Sequence, residues 1–267
     1  MISPLDGKRI VITRPLDQAE DLSEQLSALG AVPILFPTIR IVPFEENLIL
    51  DQVIFELDSY QWIIFTSVNG VSTFLDRLTG LGRDKSVLER MQIAAIGPAT
   101  ARSLTERGVH THFIPDEYIA EAVAAGIGEV DGQRILLPRA EIARKALVDE
   151  LEKRGAYVTE IPVYRTLPVE PDPIRLDALH LGVDVVTFTS PSTVRNFSNL
   201  LDPPAADLVK RAVIACIGPI TAQAVIECGM SPNLVAKEYT TTGLVQALVD
   251  FFQPSYGEDD EDISQNN

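Results

Sequence analysis

Residues 7–14 read GKRIVITR, and residues 132–139 read GQRILLPR. Both octets begin with glycine, continue through an apolar run and end on arginine. At the same spacing, Gly30 in the first copy corresponds to Gly155 in the second. Self-similarity over a distance longer than one element is typical of a duplicated structural unit. The sequence therefore predicts two similar halves.

Two further pairs of blocks extend the duplication. FTS occurs at residues 65–67 and 188–190, and IGP occurs at residues 96–98 and 217–219. The spacing between the copies drifts by a few residues along the chain, as happens when loops of different length separate preserved elements. The blocks therefore mark the elements of the fold, and the drift marks its loops.

Each copy alternates short apolar strands with helices. Arg9–Thr13 and Trp62–Thr66 are predicted as strands, and Gly30 is predicted to stop the first helix. Thr111–Phe113 and Tyr157–Glu160 are predicted as further short strands. Such alternation indicates parallel sheets with helices on both faces. The predicted class is α/β, with two similar doubly wound parallel-sheet lobes and a ligand cleft between them.

The residues alone leave two lobe arrangements open. The lobes could be contiguous, with a boundary near Glu129–Gly132. Alternatively, they exchange their first units, and the chain crosses at Pro37–Pro43 and Pro162–Pro168. Both crossing segments are bounded by proline, which favours extended backbone in the preceding residue. Two matching extended segments could pair as a two-stranded ladder.

Composition narrows the functional classes. The 267 residues include 22 Lys and Arg against 38 Asp and Glu, a formal net charge of −16. This acidity argues against nucleic acid and anionic membranes as partners. No apolar run reaches the ~18 residues of a membrane helix. Residues 1–9 lack the apolar core of a signal peptide, so we expect a cytoplasmic protein. Residues 256–267 are predicted to form a disordered acidic tail.

Hydroxyl residues and glycines follow several predicted strands, at the sheet edge where α/β proteins bind ligands. Pro191 after Ser190 suits an N-cap followed by a helix that begins with proline. Backbone N–H groups at helix starts bind carboxylates or phosphates. For any one of these turns considered alone, the alternative is that its residues only cap the helix and bind no ligand. The candidate binding residues of these turns are Ser67, Gly97, Thr100, Ser190, Ser192, Gly218 and Thr221. Neither GxGxxG nor a phosphate loop is present, so nucleotide binding has little support.

Three further candidates end the first strand of each copy: Thr13, Arg14 and Arg139. The guanidinium of either arginine could donate two hydrogen bonds to one carboxylate. The alternative is that each is simply an exposed arginine at the start of a helix. The chain shows no GxSxG motif, and its two cysteines match no zinc or redox spacing, so we expect no metal. Among groups able to donate a proton, Tyr164 stands out, because an ordinary phenol pKa of ~10 keeps it protonated at pH 7. A packed tyrosine with a hydrogen-bonded hydroxyl is the alternative.

The blocks resemble those of the uroporphyrinogen-III synthase family over about residues 5–252. In order they are ITRP at 12–15, FTS at 65–67, IGPATA at 96–101, LPR at 137–139, VYRT at 163–166, FTSPS at 188–192 and IGPITA at 217–222. Each block is short, but their order, spacing and duplication are together specific.

The resemblance implies two α/β lobes joined by a two-stranded ladder. Lobe one would comprise residues 1–36 with 169–255, lobe two residues 44–161, and the linkers residues 37–43 and 162–168, which selects the exchanged arrangement. It also implies a cofactor-independent lyase of tetrapyrrole biosynthesis. Such an enzyme converts hydroxymethylbilane into uroporphyrinogen III, closing the ring with loss of water and inversion of pyrrole ring D.

By matching positions, the resemblance implies Tyr164 as the proton donor. The hydroxyls it places around the cleft are those of Thr100, Ser190 and Thr221, with Ser67 as the equivalent on the other lobe. We further expect a monomer that meets the preceding pathway enzyme transiently. The alternative function is a two-lobed, non-catalytic protein that binds a carboxylate ligand or serves in regulation.

Overall fold

The computed structural model describes residues 3–170, 172–201 and 203–253. These residues divide into two compact units. Unit one contains the described residues up to Ile39 and from Val169 onward, and unit two is Arg40–Pro168. Unit one is therefore built from two separate stretches of chain. The predicted acidic tail, residues 256–267, lies outside the described residues.

Strands and helices alternate through most of the described chain, which confirms the predicted α/β class. The strands are β1 (Arg9–Ile12), β2 (Val32–Leu35), β3 (Ile39–Pro43), β4 (Trp62–Phe65), β5 (Gln92–Ala95), β6 (Arg134–Ala140), β7 (Tyr157–Pro168), β8 (Val185–Phe188), β9 (Val213–Cys216) and β10 (Leu234–Val235). The α-helices are α1 (Glu20–Ala28), α2 (Leu48–Phe55), α3 (Val68–Gly80), α4 (Pro98–Glu106), α5 (Ala120–Gly126), α6 (Ala146–Lys153), α7 (Pro173–His180), α8 (Pro191–Leu200), α9 (Pro203–Val209), α10 (Pro219–Glu227) and α11 (Thr241–Phe252). Short 3₁₀ helices lie at Leu16–Gln18, Leu57–Ser59 and Lys85–Arg90.

Each unit contains one five-stranded sheet, and parallel pairing dominates both. The order in unit one is β10-β9-β8-β1-β2, with every neighbouring pair parallel. The order in unit two is β3-β7-β6-β4-β5, and the pairs from β7 to β5 are parallel. β3 is the exception: Phe44 N–H donates to Val163 O and Val169 N–H donates to Thr38 O, so β3 and β7 run in opposite directions.

Both faces of each sheet are buried under apolar side chains, as is usual for parallel sheets. Along β1, Ile10 packs in one apolar cluster and Val11 in another. Along β4, Ile64 and Phe65 are divided between two clusters in the same way. This explains why the strands read as continuous apolar runs rather than as alternating apolar and polar residues.

Helix starts and stops follow from local chemistry. At the start of α8 the Ser190 Oγ accepts a hydrogen bond from Thr193 N–H at 3.3 Å, and Pro191 is the first helical residue, which confirms the predicted cap. Gly30 and Gly108 follow α1 and α4 with φ values of +79° and +76°. Only glycine adopts this left-handed backbone without strain, so both act as the predicted helix stops.

Two predicted strands differ from the structure. Over Thr111–Phe113, only His112 and Phe113 form backbone hydrogen bonds with β5, so the segment makes an isolated bridge between Phe113 and Ala94 rather than a strand. The strand expected at Tyr157–Glu160 continues to Pro168. Its second half is the segment expected to be a linker, and it forms part of the sheet of unit two because β3 and β6 both pair with it.

Helix α2 is not predicted from the sequence. Its apolar residues lie on all sides, since Leu50 and Val53 are buried while Leu48 and Ile49 are exposed. A helix that is apolar all round shows no 3.6-residue period. The local start signal is the Asn47 side chain, which accepts a hydrogen bond from Leu50 N–H at 3.1 Å.

Candidate active site

In unit two, the side chains of Ser67 and Tyr164 meet at the end of β4. Ser67 follows the strand and caps α3, because its Oγ accepts a hydrogen bond from Gly70 N–H at 3.0 Å. Tyr164 Oη lies 3.1 Å from the same Oγ, and either hydroxyl can be the donor of that bond. The Ser67 side chain that caps α3 thus fixes the position of the Tyr164 hydroxyl.

A β-bulge directs Tyr164 toward this position. The pairing of β6 with β7 is regular up to Arg139 opposite Pro162, and the next pair is Ala140 opposite Tyr164. Val163 is the extra residue. A regular strand would send consecutive side chains to opposite faces, yet Val163 and Tyr164 pack in the same apolar cluster, 1% and 6% exposed. Bulges re-aim side chains in this way beside functional sites.

The surroundings of Tyr164 keep its hydroxyl protonated. Burial raises the pKa of the Tyr164 phenol above its ordinary value, because a phenolate would lose its hydration. Hydrogen bonds to Ser67 and Asn69, and the positive charge of Arg139, oppose that rise in pKa. The Tyr164 hydroxyl therefore carries its proton at neutral pH, and hydrogen-bond partners for its oxygen are already in place.

Arg139, at the end of β6, is buried rather than exposed, so the alternative of an exposed arginine fails at this position. Its Nη2 donates to the Arg144 carbonyl at 2.7 Å, and its Nη1 lies 3.6 Å from Glu160 Oε1. Burial lowers the pKa of Arg139, and the negative charge of Glu160 opposes that change. Nε and Nη1 are buried and have no hydrogen-bond partner among the described residues.

Gly97 and Thr100 form the second predicted turn of unit two. Gly97 precedes α4 and supplies no capping side chain. A Cβ at Gly97 would come within 3.1 Å of the Tyr118 ring, so glycine is needed here for the close approach of that ring. The Thr100 side chain is buried in the first turn. This helix start therefore combines uncapped backbone N–H groups with a neighbouring hydroxyl, the donor set that binds carboxylates.

Unit one repeats the same arrangement. Gly218 precedes α10 without a capping side chain, and a Cβ there would lie 3.3 Å from the Tyr239 ring. Thr221 is buried in the first turn of α10. The duplication seen in the sequence thus extends to the packing of a tyrosine ring on the glycine that begins a helix.

Ser190 and Ser192 bring two hydroxyls together at the start of α8 in unit one. Their Oγ atoms lie 3.0 Å apart, and both residues are partly exposed. The Ser190 Oγ also accepts a hydrogen bond from the Thr193 N–H at the start of α8. Because a hydroxyl can donate one hydrogen bond while it accepts others, the two serines can still donate to a ligand oxygen.

Thr13 and Arg14, also predicted as binding residues, have different surroundings. Thr13 is fully buried, and its Oγ1 donates to the Thr187 carbonyl at 2.7 Å. In return, Thr187 Oγ1 donates to the Val11 carbonyl at 2.7 Å, and Thr38 Oγ1 donates to the Thr13 carbonyl at 3.3 Å. These bonds join neighbouring segments, so the Thr13 hydroxyl serves the fold rather than a ligand. Burial lowers the pKa of Arg14, and two nearby aspartates oppose this.

Signs of other functional classes are missing from the part of the chain that the structure describes. The rings of His110 and His112 lie 4.8 Å apart, but the His112 Nδ1 accepts a hydrogen bond from Ile93 N–H at 3.1 Å. Across residues 3–170, 172–201 and 203–253, no group of three or more His, Cys, Asp or Glu side chains is arranged to hold a metal ion. In the same ranges, no helix has the length and apolarity needed to cross a bilayer.

These features define a class: a duplicated parallel α/β protein whose helix starts, at the ends of the strands, are lined with glycine, serine and threonine. The sequence model described as uroporphyrinogen-III synthase HemD matches residues 20–246. The chain belongs to the uroporphyrinogen-III synthase family, as the sequence blocks predict.

Individual relatives agree with this assignment. The uroporphyrinogen-III synthase of Synechococcus elongatus is 34% identical over 256 residues, which cover 92% of this chain and 96% of that protein. The porphyrin biosynthesis protein HemD of Ruminiclostridium josui is 31% identical over 255 residues, which cover 94% of this chain but 50% of that protein. The chain therefore spans half the length of this second relative.

A solved structure shares the fold. It is a mutant uroporphyrinogen III synthase from Thermus thermophilus, with a TM-score of 0.63 at 22% identity, and the match covers 90% of this chain and 96% of that one. At this identity the likeness concerns the fold alone. The names of the relatives favour a tetrapyrrole-pathway enzyme over a non-catalytic binding or regulatory protein.

Proposed function

We propose that this chain is a uroporphyrinogen-III synthase, a lyase that closes hydroxymethylbilane into uroporphyrinogen III with loss of water and inversion of ring D. The observation that carries the proposal is the Tyr164 hydroxyl, buried and held 3.1 Å from Ser67 Oγ, in a chain of this family. Both residues lie in sequence blocks through which the chain resembles the family. The proposal includes that the protein is a monomer and that it acts in the cytoplasm without a cofactor.

Tyr164 acts in the first step as a general acid. Its Oη–H bond breaks as the proton moves to the hydroxyl group on ring A, and the C–O bond breaks to release water. The pyrrole nitrogen supplies the electron pair that forms the azafulvene. Ser67 and Asn69 remain hydrogen-bonded to the phenolate left behind. A single positioned acid contributes ~10²–10⁴-fold to such a step.

Inversion of ring D is mainly a matter of geometry. The azafulvene is attacked by the substituted α-carbon of ring D, which gives a spiro-pyrrolenine. This intermediate breaks at its other bridge and closes again with ring D reversed, and loss of a proton restores aromaticity. Because the open chain also closes without inversion to give isomer I, the protein has to hold one arrangement of the rings, and orientation supplies most of the effect.

The substrate carboxylates bind at the helix starts. Hydroxymethylbilane carries eight carboxylates on its acetate and propionate arms. In unit two, the uncapped turn at Gly97 and the Thr100 hydroxyl offer donors, and Gly218 with Thr221 repeats that set in unit one. Fixed N–H dipoles attract an anion locally, even though a net charge of −16 slows its first encounter with the protein.

A coupled assay tests the proposal. Hydroxymethylbilane is generated in place, the protein is added, and the oxidised products are separated by chromatography. We expect mainly isomer III with the protein and isomer I in the control without it. Isomer I alone in both reactions would refute the proposed function and return the two-lobed binding protein to consideration.

A further inference from the structure

A histidine side chain attaches the segment that follows α4 to β5 in unit two. The His112 N–H donates to the Ile93 carbonyl at 2.8 Å, and in return the Ile93 N–H donates to His112 Nδ1 at 3.1 Å. The ring nitrogen thus stands in for the backbone carbonyl that a neighbouring strand would supply. The remaining backbone hydrogen bonds between this segment and β5 are made by Phe113.

Unit one has the same arrangement with an amide in place of the imidazole. Ile214 and Ile93 each stand three residues before an IGP block, and Asn233 and His112 follow those blocks at equal distances. The Asn233 N–H donates to the Ile214 carbonyl at 2.9 Å, and the Ile214 N–H donates to Asn233 Oδ1 at 2.7 Å. The duplication therefore contains two forms of one bond. An amide oxygen accepts a hydrogen bond at any ordinary pH, whereas an imidazole nitrogen accepts one only while it is unprotonated.

Four other charged or titratable groups surround His112. The rings of His110 and His112 lie 4.8 Å apart. Both histidines line a cavity of about 290 Å³, together with Asp84, Lys85 and Glu89. β5 and the end of α4 contribute no charged side chain to this cavity. Partial burial of the ring lowers the pKa of His112, and the charge of His110 lowers it further. The neutral ring, which the bond to β5 requires, is therefore favoured at pH 7.

Protonation of His112 removes the acceptor of the Ile93 N–H. The charged ring donates at both nitrogens, so its Nδ1–H and the Ile93 N–H repel each other. Asp84 and Glu89, which line the cavity, attract the charged ring instead. The neutral and the charged ring thus favour two different positions.

The attached segment leads to the tyrosine that packs on the start of α4. A Cβ at Gly97 would lie 3.1 Å from the Tyr118 ring. In unit one, the segment that leads to Tyr239 includes the strand β10, which pairs with β9. In unit two, the same stretch makes only the isolated bridge at Phe113. The segment of unit two therefore depends more strongly on the bond of His112.

We propose that His112 is a pH-sensitive attachment point for residues 110–118: its neutral ring holds them on β5, and its protonation releases the Ile93 N–H and loosens the contact of Tyr118 with Gly97. The proton comes from water and adds to Nδ1, and no other covalent bond changes. The attachment is present above a pH of ~6.5, the ordinary pKa of histidine, and is lost as the pH falls through the lowered pKa of His112. The inference goes beyond the proposed function and does not depend on it.

The experiment follows backbone amides of the full chain by NMR from about pH 7.5 to about pH 5, the range in which histidine changes charge. The exchange of each amide hydrogen is expressed relative to its intrinsic rate, which removes the direct effect of pH on exchange. His112→Asn copies the amide of unit one into unit two, and Asn233→His makes the reverse change. His180→Asn is the matched control, because it removes a histidine that lies on α7, outside both arrangements.

In the wild type, the protection of the Ile93 amide should fall by about two- to tenfold at acidic pH, the usual worth of one hydrogen bond. The resonance of the Gly97 amide should shift with the same midpoint, because the Tyr118 ring beside it moves. Ile214 and Gly218, the corresponding residues of unit one, should show neither change. A Gly97 resonance that does not follow the titration would refute the link to Tyr118.

His112→Asn should abolish both changes seen in the wild type, and Asn233→His should create a loss of protection at Ile214. His180→Asn should behave as the wild type does. A loss of Ile93 protection that persists in His112→Asn would overturn the inference. A titration of His112 that leaves the Ile93 amide unmoved would overturn it as well, and this result comes from the wild type alone, whether or not the variants fold.

Discussion

Replacing Tyr164 by phenylalanine removes one oxygen and leaves the aromatic ring in its apolar cluster. The lost interactions are the hydrogen bonds to Ser67, at 3.1 Å, and to Asn69, each of which contributes ~0.5–1.5 kcal/mol to the free energy of unfolding. The increase in activation free energy is much larger if Tyr164 is the general acid. A general acid contributes ~10²–10⁴-fold, which corresponds to ~3–5 kcal/mol of activation free energy at 1.36 kcal/mol per tenfold. We therefore expect a folded protein with severely reduced turnover.

Tyr60 offers a matched control in the same apolar cluster. It is 4% exposed, and its Oη lies 3.2 Å from Thr159 Oγ1, so Tyr60→Phe makes the same chemical change in a similar setting. Both variants should lose a similar amount of stability in thermal unfolding. Only Tyr164→Phe should lose turnover in the assay for isomer III.

Two results would refute this reasoning. Turnover of Tyr164→Phe within about threefold of wild type would leave no room for the ~10²-fold contribution of an acid. An equal loss of turnover in Tyr60→Phe would show that the cluster tolerates neither change, and that the effect comes from packing rather than from the proton.

Three further predictions concern single positions. Gly70→Ala should lower the free energy of unfolding by ~1–3 kcal/mol in urea titrations, because its Cβ would lie 3.0 Å from the Pro138 carbonyl of a central strand; a more stable variant would contradict this. Thr100→Val should raise the apparent KM about tenfold with a smaller effect on kcat, since hydrogen bonds to charged groups are worth ~1.5–3 kcal/mol; an unchanged KM would remove Thr100 from the binding site. Burial raises the pKa of Cys216 to about 12, whereas an unfolded thiol ionises near ~8.5. The free energy of unfolding should therefore fall as pH rises from about 8.5 toward 12, and denaturant titrations of Cys216→Ala should show a shallower fall; an unchanged slope would contradict the assignment.

The parts of the fold that depend on neighbours in sequence can be predicted from the sequence. Gly30 ends a helix because its backbone conformation is local, and Ser190 begins one because its partner is three residues away. The repeated blocks predict repeated units for the same reason. Helix α2 escapes prediction, because an all-round apolar helix lacks the periodicity by which helices are detected.

The chemistry of the site depends on contacts between distant segments, and these are hidden in the sequence. The orientation of Tyr164 requires a bulge that appears only when β7 pairs with β6. The Thr13 hydroxyl is occupied by the carbonyl of Thr187, and nothing near Thr13 in the sequence signals this bond. Residue types indicated where donors occur, but only the fold decides which of them remain available to a ligand.

The division of unit one into two stretches has a consequence for biosynthesis. The bonded pair Thr13 and Thr187 lies 174 residues apart. At a synthesis rate of ~5–20 residues per second, β1 waits roughly 9–35 s for β8 to be made. Unit two, which is the continuous stretch Arg40–Pro168, is fully synthesised before β8 exists. During that interval β1 has at most β2 as a strand partner, and an unpaired apolar strand edge promotes aggregation. The nascent chain is thus vulnerable at β1, which gains its second strand partner only when β8 has been made.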